Sequence, residues 1–334
     1  MAGKRILGLI SFLTAGIILT GCSSGAASQG LKDKKKIKIG ISQLVEHPAL
    51  DSARQGFIKA LKDKGYEEGK NIELDIQNAQ GDIPTAQSIA QKFVSTNKDM
   101  IFAIATPAAQ AAYNSTKKTP ILMTAVTDPV EAGIVKSMEK SGTNVAGTSD
   151  MVPSEKQLEL LKALVPDAKR IGVLYNTSEN NSEIQIKNLE EAAVKYNLEV
   201  VSRGITSINE ASQVLTSILD KIDVMYTPTD NMVASSLPVI ADLCFKNNIP
   251  IIGAEDAHVK QGALASNGID YEKLGYETGL KAVEIIEGKR PEDMEVSLMK
   301  EMTLVINQDA AAKLKINLPK EIEEKALKVK GGVK

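Results

Sequence analysis

From Ile37 onward the chain alternates short β-branched runs with amphipathic stretches of helical period, and it does so twice in the same order. The first series reads IKIGIS, a helix over 50–64, IELDIQNA, a helix over 84–96, DMIFAIAT, a helix over 107–116, PILMTAV, a helix over 130–140, and NVAGTS. The second begins at Arg170 with RIGVLYN. It continues through a helix over 181–196, LEVVSRGI, a helix over 209–220, DVMYTPT, a helix over 233–247, IPIIGAE and GALASNG. Short apolar runs separated by helices predict parallel sheets covered on both faces. Lys38-Ile39-Gly40 answers Arg170-Ile171-Gly172, Asp99 answers Asp223, and Pro120-Ile121 answers Pro250-Ile251. A repeat of that length is a domain rather than a solenoid unit. The pattern predicts an α/β protein of two doubly wound, Rossmann-like lobes with a cleft between them. The expected N-terminal lobe takes residues 37–150 plus about 268–290. The C-terminal lobe takes 151–267 plus about 291–319, with an amphipathic helix over 271–288, a strand over 302–307 and a short helix over 308–315. Residues 320–334 read as a charged tail.

The first residues carry a different signal. Lys4 and Arg5 precede an apolar run from Ile6 to Leu19, which is short for a membrane span and ends at Leu19-Thr20-Gly21-Cys22. This predicts a signal peptide over 1–21. The Leu-Thr-Gly-Cys string resembles the lipobox of bacterial lipoproteins, which implies a diacylglycerol on Cys22, and two acyl chains suffice for stable anchoring. Residues 22–36, small and polar and then lysine-rich, read as a flexible tether. The expected location is therefore the outer face of the cytoplasmic membrane, held by a lipid.

Composition excludes several functions. Forty basic residues against 42 acidic ones give a net charge of −2, so no nucleic-acid partner is expected. His47 and His258 are the only histidines, and neither lies in a ligand-spaced cluster, so no metal is expected. Apart from Cys22 the one cysteine is Cys244, within a helical pattern that predicts a lone buried thiol. The first strand leads into Gly40-Ile41-Ser42-Gln43, with no G-x-G-x-x-G and no P-loop string, and no G-x-S-x-G elbow joins a strand to a helix. Neither a cofactor nor an enzymatic activity is expected, and the chain reads as a monomer.

In open parallel sheets the ligand lies outside the carboxyl ends of the strands. That rule nominates Pro48, Leu50 and Asp51 after the first strand, Asn78 after the second, and Thr106 and Ala108 after the third. Thr127 and Asp128 follow the fourth, and Thr148 stands at the fifth. In the second series it nominates Tyr175, Asn176, Asn181 and Ser182, then Thr229, Asp230 and Asn231, then Glu255, Asn267 and Asp270. An amino-acid ligand needs an anion site, which helix starts at Thr106 or at Asn181 and Ser182 can supply. It also needs a carboxylate, for which Asp230 and Asp128 are candidates, although both also suit helix capping. An aromatic ligand would need walls such as Pro48, Leu50, Tyr175, Pro228 or Tyr271. With no Trp and 4% aromatic residues, a sugar that stacks on rings is disfavoured.

Several local strings carry a resemblance: VEHPALD at 45–51, NAQGD at 78–82, ATPAAQ at 105–110, VTDPVEAG at 126–133, YTPTDN at 226–231 and GIDYEKLG at 268–275. With the lipobox-like start and the doubled pattern, the chain resembles the ABC-transporter substrate-binding lipoproteins of the tryptophan/tyrosine type, over about 37–319. The resemblance implies a type I periplasmic-binding-protein fold, two lobes joined by three crossover strands that act as a hinge and let the lobes close around one ligand in the interlobe cleft. It also implies a small-molecule ligand, often an aromatic amino acid, and an ABC transporter permease as partner. A surface adhesin, a sensor subunit, or a receptor for another amino acid or a nucleoside are the alternatives on the same fold.

Overall fold

In the computed structural model, which describes residues 31–299 and 301–333, the first series builds β1 (Ile37–Gln43), α1 (Pro48–Asp63), β2 (Ile72–Asn78), α2 (Ile83–Ser95), β3 (Met100–Ile104), α3 (Thr106–Ser115), β4 (Ile121–Val126) and β5 (Val145–Ser149). The second builds α4 (Ser154–Leu164), β6 (Arg170–Asn176), α5 (Asn180–Ala193), β7 (Glu199–Ile205), α6 (Ile208–Thr216), β8 (Val224–Thr227), α7 (Asn231–Lys246), β9 (Ile251–Glu255), α8 (Asp256–Lys260) and β10 (Ala265–Ile269). The chain then forms α9 (Tyr271–Ile286), β11 (Val296–Leu298), β12 (Thr303–Asn307), α10 (Gln308–Lys313), α11 (Lys320–Lys325) and β13 (Leu327–Val329).

Two sheets result, with strand orders β11-β5-β4-β3-β1-β2 and β13-β12-β10-β9-β8-β6-β7, each beside its own apolar core. Among the described residues all pairings are parallel except β10 with β12. The chain crosses between sheets three times: after β5, after β10, and between β11 and β12.

The internal repeat has a physical basis in how each lobe ties its first strand. Asp99 donates its backbone N–H to Lys38 O at 2.8 Å and accepts from Lys38 N on its carboxylate at 2.9 Å. Asp223 does the same for Arg170, at 2.9 Å both ways. Gly40 and Gly172 are likewise equivalent: a Cβ on the first would come within 2.6 Å of the Phe93 ring, and on the second within 2.5 Å of Ile222 Cδ1. Both are close-packing glycines under a covering side chain.

Four expectations need correction. Residues 130–140 form no helix. Asp128 caps a single turn, accepting from Val130 N at 3.1 Å and Glu131 N at 3.0 Å, and Gly133 at φ +70° ends it. Residues 296–298 pair with β5 in the first sheet, so the segment after 290 does not pass directly into the second lobe. The charged tail is folded: β13 extends the second sheet beside β12, Gly331 N donates to Asp309 at 2.8 Å, and Asn307 Nδ2 donates to Gly331 O at 2.8 Å. The tether is shorter than 22–36, because Leu31 packs on the first core and Lys34 pairs with Asp99. Cys22 and the signal peptide lie outside the described residues. Cys244 is buried, and burial pushes its thiol up to about 12. Among the described residues no helix is long and apolar enough to cross a membrane.

Helix α9 follows the second lobe in sequence but packs along α1 of the first. The approach is backbone-close: a Cβ at Gly56 would overlap the Glu272 carbonyl, and one at Gly275 would overlap the Ala53 carbonyl. Gly275→Ala is therefore expected to cost about 1–3 kcal/mol of stability, read as a lower urea midpoint. An unchanged midpoint would show that the seam can widen freely.

Candidate functional site

The carboxyl ends of the two sheets face each other, and side chains meet across the gap. His47 Nε2 lies 3.4 Å from Asn231 Oδ1, and the Thr127 and Thr229 hydroxyls are 3.5 Å apart. On the first side α3 begins at Thr106. Ala105 before it is held at φ +83°, a conformation L side chains rarely adopt. That strain aims the start of α3. Thr106 is 2% exposed and its hydroxyl has no protein partner. First-turn amides of a helix lack intrahelical acceptors and carry the positive end of its dipole. The end of α3 can therefore receive an anion.

On the second side the polar groups mostly hold one another. Asp230 caps α7, accepting from Val233 N at 2.9 Å on one oxygen, and from Asn176 N at 2.6 Å and Ser182 Oγ at 2.7 Å on the other. Its oxygens are thus committed to tying β6, α5 and α7 together. Glu179 accepts from the Asn176 amide at 3.0 Å and from the Asn231 amide. Burial, and then the charge of Asp230, push its carboxyl up to about 7. Gln185 Oε1 accepts from both Thr229 N at 3.0 Å and Thr229 Oγ1 at 2.7 Å. Asn181 donates to Thr229 O at 3.2 Å and leaves its own Oδ1 without a partner.

A third group gathers where the lobes join. Asp150 stands just past β5, and Tyr271 opens α9 just past the second crossing. The Tyr271 hydroxyl donates to Asp150 Oδ2 at 2.7 Å. Glu255 at the end of β9 is 2% exposed, and its Oε2 lies 3.7 Å from His258 Nε2. His258 Nδ1 is 3.0 Å from the Thr227 hydroxyl. Burial lowers the His258 pKa to about 3 and that of His47 to about 4, so both imidazoles are neutral. Asp150 Oδ1, Glu255 Oε2, His47 Nδ1 and His258 Nε2 are buried and have no protein partner. Among the described residues no group of three His, Cys, Asp or Glu side chains is arranged to hold a metal ion.

The nominated residues divide accordingly. Thr106, Thr127, Asn181, Thr229, Asn231 and Glu255 come to the facing ends with polar atoms at or near the gap. Others are occupied elsewhere. Thr148 is a core residue bonded to Thr124 at 3.1 Å and Thr278 at 2.8 Å. Leu50 and Ala108 belong to the first core, whereas Pro48 is exposed. Asp51 is held by Gln43 and Arg54, and Asn78 accepts from Gln80 N within its own loop. Asp128 and Asp270 are turn and helix caps. Tyr175 packs against the second core near Gly204, and Asn267 O accepts from Gln157 at 2.7 Å. Asn176 and Ser182 serve Asp230. Thr229 meets Thr127 across the gap. Sequence reasoning passed over Asp150 and Glu179. The first lies two residues beyond the nominated Thr148, and the second three beyond Asn176.

Known proteins share these features. A family model described as ABC transporter substrate binding protein matches residues 38–330. A tyrosine-binding protein of Clostridioides difficile is 56% identical over 313 residues, 92% of this chain and 91% of that protein. A Streptococcus pneumonia ABC domain solved in complex with L-Trp is 36% identical, with TM-score 0.85 over 88% of this chain and 99% of that one. A ligand-free, open substrate-binding protein with adhesive properties from Clostridium difficile is 54% identical, covering 89% of this chain and 100% of that chain, yet its TM-score is 0.69. More distant solute-binding proteins, near 15% identity, share the fold alone. This is the type I periplasmic-binding fold.

Asp230→Asn would set an amide N–H2 against one of the donors that now point at its carboxylate. The expected cost is about 1–3 kcal/mol, seen as a lower urea midpoint. A wild-type midpoint would mean that the carboxylate does not act as the cap and tie described.

Proposed function

The chain belongs to the ABC transporter substrate-binding protein family, and on that premise we propose that it captures an aromatic amino acid, tyrosine or tryptophan, between its lobes and passes it to the permease of an ABC importer. As a member of that family it is an extracytoplasmic receptor and not an enzyme. One observation carries the ligand reading: unpartnered, buried polar atoms are contributed from both sides to the gap between strand ends, with a helix start on one side and carboxyls at the other. An anion site and a carboxyl within one enclosure suit a zwitterion better than a sugar. The ring is supported by the relatives, one named as tyrosine-binding and one solved with L-Trp. In this reading Thr106 and the first amides of α3 take the ligand carboxylate, with Thr127, Thr229, Asn181 and Asn231 around it.

Closure about the three crossings would deliver groups from both sides at once. The chain superposes better on the L-Trp complex than on the open, ligand-free protein, although it is closer in sequence to the latter. That ordering is what a closed arrangement of lobes produces. Residues from about 37 to 150 with 271–298, and 154–269 with 303–333, would be the two moving bodies. Calorimetric titration with L-tyrosine, L-tryptophan and L-phenylalanine is expected to show saturable binding of at least one. Scattering is expected to give a smaller radius of gyration at saturation. Absence of binding for all three would overturn the ligand reading, and an unchanged radius the hinge.

We further read the chain as a monomer anchored by lipid on Cys22 at the outer face of the cytoplasmic membrane. Cys22→Ala is expected to abolish acylation and shift the protein from the detergent phase to the aqueous phase or leave it unprocessed. A wild-type chain with an unlipidated mature N-terminus would refute the anchor. A second, adhesive role is favoured by one observation, the adhesive properties of the 54% identical relative. Loss of host-cell attachment on deleting the gene, with and without added ligand, would test it.

A further inference from the structure

We propose that the buried carboxyls of Asp150, bound to the Tyr271 hydroxyl where the first two crossings meet, and of Glu255 at the end of β9 receive the cationic nitrogen of the ligand and release a proton as they do so. The inference rests on the reading of the chain as an amino-acid receptor.

Asp150 sits on the first crossing and Tyr271 on the second, so their 2.7 Å hydrogen bond bridges the two connections about which the lobes would turn. Glu255 comes from the second lobe, at the end of β9, and the charge of Asp150 acts on it. Each acid retains one buried oxygen with no protein partner, Asp150 Oδ1 and Glu255 Oε2. A third unpartnered atom points to the same place: His258 Nε2, fully buried, 3.7 Å from Glu255 Oε2.

The surrounding charges make the pair unusual. Glu255 feels Asp150, Asp256 and Asp230, all acidic, and Asp150 is contacted by Tyr271 and Thr127. His258 and, beyond it, His47 are neutral and supply no counter-charge. The charges that act most strongly on Glu255 are thus anionic. Two neighbouring carboxyls in a buried site resist ionising together without a cation. Burial accordingly raises the pKa of both. On this proposal the free pair holds one proton and carries one negative charge. A primary ammonium has three donors, enough for both orphan oxygens. When it docks, the shared proton leaves to solvent, the pair becomes doubly negative, and the ammonium offsets the added charge. Net charge in the site is unchanged and one proton is released.

Two consequences follow for selectivity and pH. A ligand lacking the amine leaves two buried acids unsatisfied and should be rejected. Because the proton competes with the ammonium, affinity should rise with pH until the free pair has lost its proton.

The test is calorimetry of the full-length chain in detergent with L-tyrosine, or L-tryptophan if the wild type prefers it. Titrations in buffers of different ionisation enthalpy near neutral pH should report release of up to about one proton per ligand. Glu255→Gln and Asp150→Asn are each expected to weaken binding about ten- to a hundredfold and to reduce the proton release. The des-amino analogue, 3-(4-hydroxyphenyl)propanoate for tyrosine, should bind the wild type weakly and lose no further affinity in Glu255→Gln. If Asp150→Asn does not fold, Glu255→Gln and the wild-type proton count decide. A Glu255→Gln protein with wild-type affinity and wild-type proton release overturns this inference and leaves the receptor reading standing. A wild type that binds none of the aromatic amino acids overturns both.

Discussion

The packing of α9 on α1 is the contact on which the rest of the architecture depends. By the time the chain reaches Tyr271 it has completed most of the second sheet, and it must then return to the first lobe to cover β4 and β5. Gly56, Gly275 and Gly279 let the two helices approach until backbone meets backbone, an arrangement any side chain larger than hydrogen would block. That return creates the second crossing beside the first. It also sets Tyr271, the first residue of α9, against Asp150, the first residue past β5. The base of the interlobe gap is thus built by the same helix docking that closes the first core.

The alternation of strand and helix was legible because its cause is local. Buried parallel strands need continuous β-branched runs, and covering helices need an apolar face. The repeat was legible because Asp99 and Asp223 do the same job for Lys38 and Arg170. What escaped was set by long-range pairing. Nothing in the short segment around Val296 says that it will lie beside Gly147 instead of joining the second lobe. Leu327 and Val329 are flanked by lysines and look solvated, yet they supply an edge strand because β12 offers a free ladder. The stretch over 130–140 has a helical apolar spacing, but Asp128, Pro129 and Gly133 form a closed turn that consumes the amides a helix would need.

For the candidate site the strand-end rule located the right surface and could not sort its members. Asp230, Asp128, Asp270 and Asp150 all follow strands, yet the sequence nominates only the first three and passes over Asp150. Three of them spend their oxygens on helix or turn amides. Asp150 does not, because the element after it, α4, starts four residues later and leaves no amide within reach of Oδ1. That distinction depends on where a helix begins to the residue, the least legible feature of a sequence. Glu179 is similar: its environment is made by Asn176 and Asn231, which only the folded second lobe brings together.

The energetics of the gap argue for ligand-driven closure over a latch of protein alone. Direct contacts across it are long, 3.4 Å at His47 and Asn231 and 3.5 Å at Thr127 and Thr229, near the limit at which a hydrogen bond counts. Set against them are buried atoms with no partner on both sides, among them Thr106 Oγ1, Asn181 Oδ1, Asp150 Oδ1 and Glu255 Oε2. Each such atom costs about 1–3 kcal/mol if left so. Closure alone therefore hides more polar demand than it meets. A zwitterion, which carries an anion and a cation on adjacent groups, meets that demand from within, and it does so only when both lobes surround it. The free energy that favours the closed state then comes from the difference in the ligand's contacts between open and closed forms, which is the only source a population shift can draw on.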